Sequence, residues 1–159
     1  MSVEQAEFRQ VMGHFATGVT IITTHDGRGQ LFGLTANAVC SVSLEPPLVL
    51  VCVDKVAESY PALSSSGCFT INLLAESQEA LSRRFAKSGG DKFSGVGYRI
   101  CDNGAAVLDD VIAHLACAVR HRFEAGDHTI FVGEVTQLAV SSEENPLLFF
   151  RGGYRNLSA

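Results

Sequence analysis

Four stretches of this chain carry side chains that secondary structure alone does not need. The first is Gly33-Leu34-Thr35-Ala36-Asn37-Ala38, followed by Ser41. It sets small and hydroxyl residues inside a strand-like run. Small residues weaken a strand unless something packs closely on its backbone. That something is a crowded strand crossing or a flat ligand lying on main-chain amides, and the residues favour neither. The second is Asp54-Lys55-Val56-Ala57-Glu58-Ser59. A polar turn leading into a helix offers amides, a hydroxyl and a cation to a phosphate, and it also suits an ordinary strand-to-helix turn. The third is Arg83-Arg84-Phe85-Ala86-Lys87, with Lys92 beyond. This is the densest basic cluster of the chain. It would attract an anionic cofactor, with Phe85 stacking on a ring, or simply complement a helix C-terminus. The fourth is Gly126-Asp127-His128, where a hairpin tip carries an imidazole that the turn itself does not require.

Other chemistries are missing from the sequence. There is no G-x-S-x-G, H-E-x-x-H or P-loop, and no G-x-G-x-x-G follows a strand. The five cysteines are odd in number and form no C-x-x-C. They read as buried free thiols of a reducing compartment. No histidine falls at ligand spacing from a cysteine pair, so no metal site is expected. A single domain over residues 1–159 follows from the length. Hydrophobic residues make up 47% and charged residues 18%, which excludes intrinsic disorder. A net charge of −5 argues against a nucleic-acid partner. The polar N-terminus shows neither a leader nor a span of about 20 apolar residues, so a soluble cytoplasmic protein with no membrane partner is expected.

These segments must be carried by a scaffold. Phe8, Val11, Met12 and Phe15 have helical spacing. Residues 18–42 read as a hairpin around Asp26-Gly27-Arg28-Gly29, ended by Pro46-Pro47. Leu48 to Val53 is an unbroken apolar run, expected as a central strand buried on both faces. Further strands are expected at 68–74, 114–123, 129–140 and 147–150. A helix is expected at 76–87 with Ser77 as its cap, then a glycine-rich loop at 88–95. Six or seven strands joined mostly by turns predict a mainly β protein, an antiparallel barrel with peripheral helices.

The run F-x-x-x-M-G-x-F-A-T-G-V-T-I-I-T-T from Phe8, the segment 33–53 and the Gly126-Asp127-His128 tip together resemble the short-chain flavin reductases, over nearly the whole chain. The resemblance implies an FMN-binding split β-barrel of antiparallel Greek-key topology that forms a homodimer. It implies NAD(P)H-dependent reduction of FMN or FAD, with NADH or NADPH as hydride donor. The reduced flavin would pass to a flavin-dependent monooxygenase. Carried over, Thr35, Ala36, Asn37 and Ser41 would line the isoalloxazine. Val53, Asp54, Lys55 and Ser59 would hold the ribityl-phosphate end, and Arg84, Phe85 and Ala86 the phosphate or adenine side. His128 would be the catalytic residue at the nicotinamide, with Tyr154 closing that face. Since hydride transfer is the work of the two cofactors, no acid–base dyad is needed. Two rival readings share the barrel: a non-catalytic flavin-binding module, and an oxidase of the pyridoxamine-phosphate oxidase kind.

Overall fold

The computed structural model describes residues 3–157. The chain opens with α1 (Gln5–Met12), a bridge strand β1 (Thr17–Gly18), β2 (Thr20–His25) and β3 (Leu31–Ala36). Next come β4 (Val39–Leu44), β5 (Pro47–Asp54), α2 (Tyr60–Ser66), β6 (Cys68–Leu73) and α3 (Glu79–Phe85). The short strands β7 (Tyr98–Ile100) and β8 (Ala106–Leu108) precede the long hairpin β9 (Ala113–Ala125) and β10 (His128–Val140). Two short strands, β11 (Leu148–Phe150) and β12 (Gly153–Arg155), finish it.

Seven strands form one antiparallel sheet in the order β3-β2-β6-β9-β10-β5-β4. The β3→β4 and β5→β6 connections jump across strands rather than joining neighbours, as Greek-key order requires. The sheet curls back on itself where the Ala36–Val39 turn meets β5, and the Cys52 N–H donates to the Ala38 carbonyl at 3.0 Å. This is the split β-barrel expected, with 48% strand and 16% helix.

Alternation along a strand sends neighbours to opposite faces, and β2 buries both. Ile21 joins a core with Leu74, Phe85, Leu108 and Leu147, while Ile22 joins another with Val51, Leu63, Phe69 and Phe131. The hydroxyls of β2 are paired inside: Thr23 donates to the Ala106 carbonyl and Thr24 to the Cys68 carbonyl at 2.8 Å.

The structure corrects several expectations. β5 lies next to the sheet edge, not at its centre, and buries one face only. Val49, Val51 and Val53 point into the core, while Leu48, Leu50 and Cys52 are half-buried on the other side. An apolar run cannot by itself distinguish a second protein face from a cavity. Residues 18–42 are not one hairpin: β2 and β3 pair, but β4 leaves to pair with β5. Pro46-Pro47 does not stop the sheet. The chain reverses at the cis Glu45–Pro46 peptide, and Pro47 begins β5. Ser77 is not a cap: its hydroxyl donates to Glu144, and the Gln78 side chain accepts the Ala75 N–H at 3.1 Å. The strand expected at 147–150 is β11, but β7, β8 and β12, three residues each, had no periodic signal long enough to read.

Candidate functional site

Among the described residues no strand lies beside the outer edge of β3, so its carbonyls are met by side chains. The Gly33 carbonyl accepts the Ser59 hydroxyl at 2.9 Å and the Lys92 ammonium at 3.2 Å. Ser59 is buried, and Lys92 lies 3.7 Å from the Glu58 carboxylate, which also accepts the Gly89 N–H. A cavity of about 390 Å³ opens between Gly33, Ser59 and Lys92. Two residues along, Thr35 donates to the Ser82 carbonyl at 2.6 Å, and the buried Ser82 hydroxyl meets the Tyr154 hydroxyl at 2.7 Å. Arg83 lies over the Tyr154 ring at 4.7 Å. Tyr154, whose expected place is the nicotinamide face, is thus tied to β3 and α3.

Past the end of β3, Asn37 donates to the Thr17 hydroxyl at 3.1 Å, and the Ala36 carbonyl accepts the Thr20 hydroxyl at 2.7 Å. Asn37 and Ser41 line a second cavity of about 780 Å³, within the range of small-molecule sites. Its walls are largely apolar, from Val39, Leu50, Leu73 and Leu115, with Cys52 among them. Val53 turns its side chain fully into the core, leaving only its main chain for a ligand.

β5 also leads to the hairpin tip, because Asp54 pairs with His128 in register. The His128 Nδ1 is 2.7 Å from Asp127 Oδ1, and this contact holds the Asp127 carboxyl below its usual range. Asp54 accepts the Val56 N–H at 3.0 Å and so closes its own turn. The Lys55 ammonium faces the tip rather than open solvent. It donates to the Gly126 carbonyl at 2.9 Å and pairs with Glu124 at 2.5 Å.

The basic cluster is placed differently from expectation. Phe85 is 1% exposed, and its ring lies over Gly33, 2.7 Å from where a Cβ would stand there. That ring is a core residue and cannot stack on a cofactor. It also explains Gly33, whose missing side chain admits the ring, so a crowded crossing accounts for this glycine. Arg84 donates to the carbonyls of Asp91 and Ser94 at 3.0 and 2.6 Å and folds the glycine-rich loop. Ala86 caps α3, its N–H on the Ser82 carbonyl. From this cluster the chain offers a ligand main-chain groups and Lys92, not the Phe85 ring. Ser82 escaped the candidate set because its partner Thr35 is 47 residues away, and Lys92, read only as part of the basic cluster, finds its carbonyl 59 residues away.

Two thiols depart from the expected burial: Cys40 is exposed and Cys52 half-buried, while Cys68, Cys101 and Cys117 are buried. Burial pushes the Cys117 thiol up to about 12, so it is inert at neutral pH. Two histidines have partners that local sequence hides. His25 Nε2 is 3.1 Å from the Asn103 carbonyl, and His114 Nε2 is 3.2 Å from the Arg99 guanidinium. Among the described residues no group of three or more His, Cys, Asp and Glu side chains is placed to hold a metal, and no helix is long and apolar enough to cross a membrane.

Comparison with known proteins agrees with this fold. The model of the flavin reductase like domain matches residues 12–158. A flavin reductase of Pseudomonas putida is 40% identical over 99% of this chain and 93% of its own. The reductase subunit HsaB of a flavin-dependent monooxygenase from Rhodococcus jostii is 40% identical over 98% of this chain and 80% of its own. Among solved structures, the NADH:FAD oxidoreductase SgcE6 of Streptomyces globisporus, in complex with NAD and FAD fragments, superposes with a TM-score of 0.92. It is 37% identical and covers 98% of this chain and 93% of its own. With the split barrel, the polar β3 edge and the histidine-bearing hairpin already in place, these likenesses show that the chain belongs to the flavin reductase-like family.

Proposed function

We propose that this chain oxidises NADH or NADPH and reduces free FMN or FAD, which then leaves for a flavin-dependent monooxygenase. One observation carries the reading. On β5, Cys52 bonds the turn that carries Asn37, and Asp54, two residues on, faces His128. Two strand residues span about 7 Å. One strand therefore brings a polar edge beside an apolar cavity and an imidazole within reach of each other.

The residues fit a flat ligand with an anionic tail. The 780 Å³ cavity supplies apolar walls for a ring system, and the Asn37 carboxamide and Ser41 hydroxyl line its rim. Lys92 donates to the Gly33 carbonyl and lies 3.7 Å from the Glu58 carboxylate, so a phosphate beside Ser59 would share its ammonium. When bound, the reduced nicotinamide supplies a hydride and the flavin ring accepts it. The protein's part is orientation. Thr35, Ala36, Asn37 and Ser41 seat the ring. Asp54, Ser59, Lys92 and the main chain of Val53 and of residues 84–86 face its tail. His128 offers its Nε2 to the nicotinamide, since Asp127 already holds Nδ1. No proton need move for a hydride to pass, so the Asp127–His128 pair serves to orient the nicotinamide.

Assembly as a homodimer belongs to the same reading. Phe8, Val11, Met12 and Phe15 on the α1 segment are exposed, as are Leu138 and Val140. These apolar groups and the open cavity beside them are surfaces that a second copy would cover. Unbridged cysteines suit a reducing cytoplasm. The test is a steady-state assay with FMN, FAD, NADH and NADPH in all pairings. Nicotinamide oxidation that depends on added flavin is expected, and its absence in every pairing overturns the proposal. Light scattering at micromolar concentration is expected to give twice the chain mass, and a monomer mass overturns the dimer.

A further inference from the structure

Lys55 sits at the end of β5, where a phosphate-binding role for its cation is the simplest expectation. Its bonds point elsewhere. Its main-chain N–H donates to the Asp127 carbonyl at 3.0 Å. Its ammonium donates to the Gly126 carbonyl and pairs with Glu124 on the opposite strand of the hairpin. Three consecutive features of the tip, the β9 end, the turn glycine and the residue before His128, are therefore held by one lysine. The carboxylate of Glu124 raises the Lys55 ammonium above its ordinary range, and Lys55 lowers Glu124 in return. Both groups stay charged at neutral pH.

The network runs further inward. Glu124 accepts the hydroxyl of buried Thr129 at 3.3 Å, and Thr129 meets the Tyr60 hydroxyl at 2.9 Å. The Tyr60 ring packs edge-on against Phe131 at 6.0 Å. The hairpin tip is thus anchored through Glu124 and Thr129 to the start of α2 and through Lys55 to β5. Gly126, with φ +65°, permits the turn but does nothing to hold it.

We propose that Lys55 and Glu124 are positioning residues for His128, clamping the tip so that the Asp127–His128 pair faces the nicotinamide, and that Lys55 is not a flavin-phosphate ligand. This rests on the reading that His128 meets the nicotinamide. An ammonium already shared by a carboxylate and a carbonyl has little left for a phosphate. A tip without those bonds keeps its fold but loses its fixed orientation.

The experiment compares Lys55→Met, Glu124→Gln, the double variant, Lys55→Arg and His128→Ala, each assayed for the KM of nicotinamide and of flavin. The expected result for either single clamp variant is a rise in nicotinamide KM of about two- to fivefold, the range a partly exposed ion pair supports, with flavin KM unchanged. The double variant should be no worse than the worse single one, and Lys55→Arg should recover most of the loss. In a His128→Ala background, Lys55→Met should add nothing. A rise in flavin KM with nicotinamide KM unchanged overturns the proposal and makes Lys55 a flavin ligand. Additive effects, or an undiminished effect without His128, overturn the clamp. If His128→Ala leaves every constant unchanged, the nicotinamide reading of the tip fails. If His128→Ala acts and Lys55→Met does not, only the clamp fails. Denaturant midpoints and the dimer mass, measured alongside, identify a variant that has merely misfolded.

Discussion

Gly33 lies directly beneath the ring of Phe85: a Cβ at residue 33 would stand 2.7 Å from one ring carbon and 2.8 Å from the next. Strand β3 and helix α3 approach that closely because the glycine lets them. The Gly33 carbonyl then becomes the acceptor that Ser59 and Lys92 share. A packing requirement and a polar corner of the site thus meet in one residue.

Gly33→Ala should therefore cost about 1–3 kcal/mol, the usual penalty for forcing a methyl group into a filled core. Phe85 is wedged against Phe93 and has no free side to move to. Chemical denaturation is the measurement, and the midpoint should fall with the slope unchanged. A variant as stable as the parent would mean that the ring can shift, and that the crossing is looser than its distances indicate.

The strands that make the core were legible because their signal is local. The β-branched run at 18–24, the strand stretches at 114–123 and 129–140 and the glycine turn at 126 each depend on neighbours in the chain. The site was legible only in outline. That Asn37, Asp54 and His128 belong together came from a family likeness, and the register of β5 with β10 supplies the physical reason. Local pattern fails where a residue's partner is distant. Phe85 looked like an accessible aromatic among cations, yet its pocket is made by Gly33 on another strand. Arg84 looked free, yet the loop carbonyls it holds are set by glycines at 89, 90 and 95 with positive φ. An apolar run such as 48–53 says that a surface is covered, not whether protein or a cavity covers it.

His114 gives the fold a pH dependence of definite sign. It is 2% exposed, and burial, then the Arg99 charge, lower its pKa from 6.5. The folded state therefore binds a proton less readily than the unfolded chain. Stability from the neutral imidazole is fully present above 6.5 and is lost as pH falls below that value toward the depressed one. Denaturant midpoints should fall between about pH 7.5 and 5.5. His114→Gln, which keeps an acceptor for Arg99, should flatten that fall. An equal pH slope in the variant would assign the effect to other groups.

His128→Ala tests how much the imidazole does. With Nδ1 held by Asp127, one ring nitrogen remains for the nicotinamide. Losing one hydrogen bond of about 0.5–1.5 kcal/mol lowers kcat/KM for the nicotinamide roughly 2- to 12-fold. Flavin KM should hardly change, because the one free ring nitrogen is assigned to the nicotinamide. A loss greater than about 100-fold would show that His128 moves a proton in the rate-limiting step.

Flavin should exchange rather than stay. Three cations near the expected anionic tail already lie beside carboxylates: Lys55 by Glu124, Lys92 by Glu58, Arg83 by Glu79 at 2.7 Å. Arg84 is spent on two loop carbonyls. A phosphate arriving here displaces or shares an existing bond, so its net gain is small. Several of these groups are solvent-exposed as well, where salt screens them. Stacking against apolar walls then supplies most of the affinity, and a dissociation constant in about the micromolar range follows, some −8 kcal/mol. Dialysis should strip most of the flavin, and equilibrium titration of the stripped protein should return that value. Raising salt should weaken binding only modestly. Glu58→Gln, which frees Lys92 from its carboxylate, should tighten flavin binding by about two- to fivefold, the range of a single partly exposed ion pair. Protein that remains fully yellow through extended dialysis would mean that the tail is gripped by groups beyond these, and that the flavin is a retained cofactor instead of a substrate.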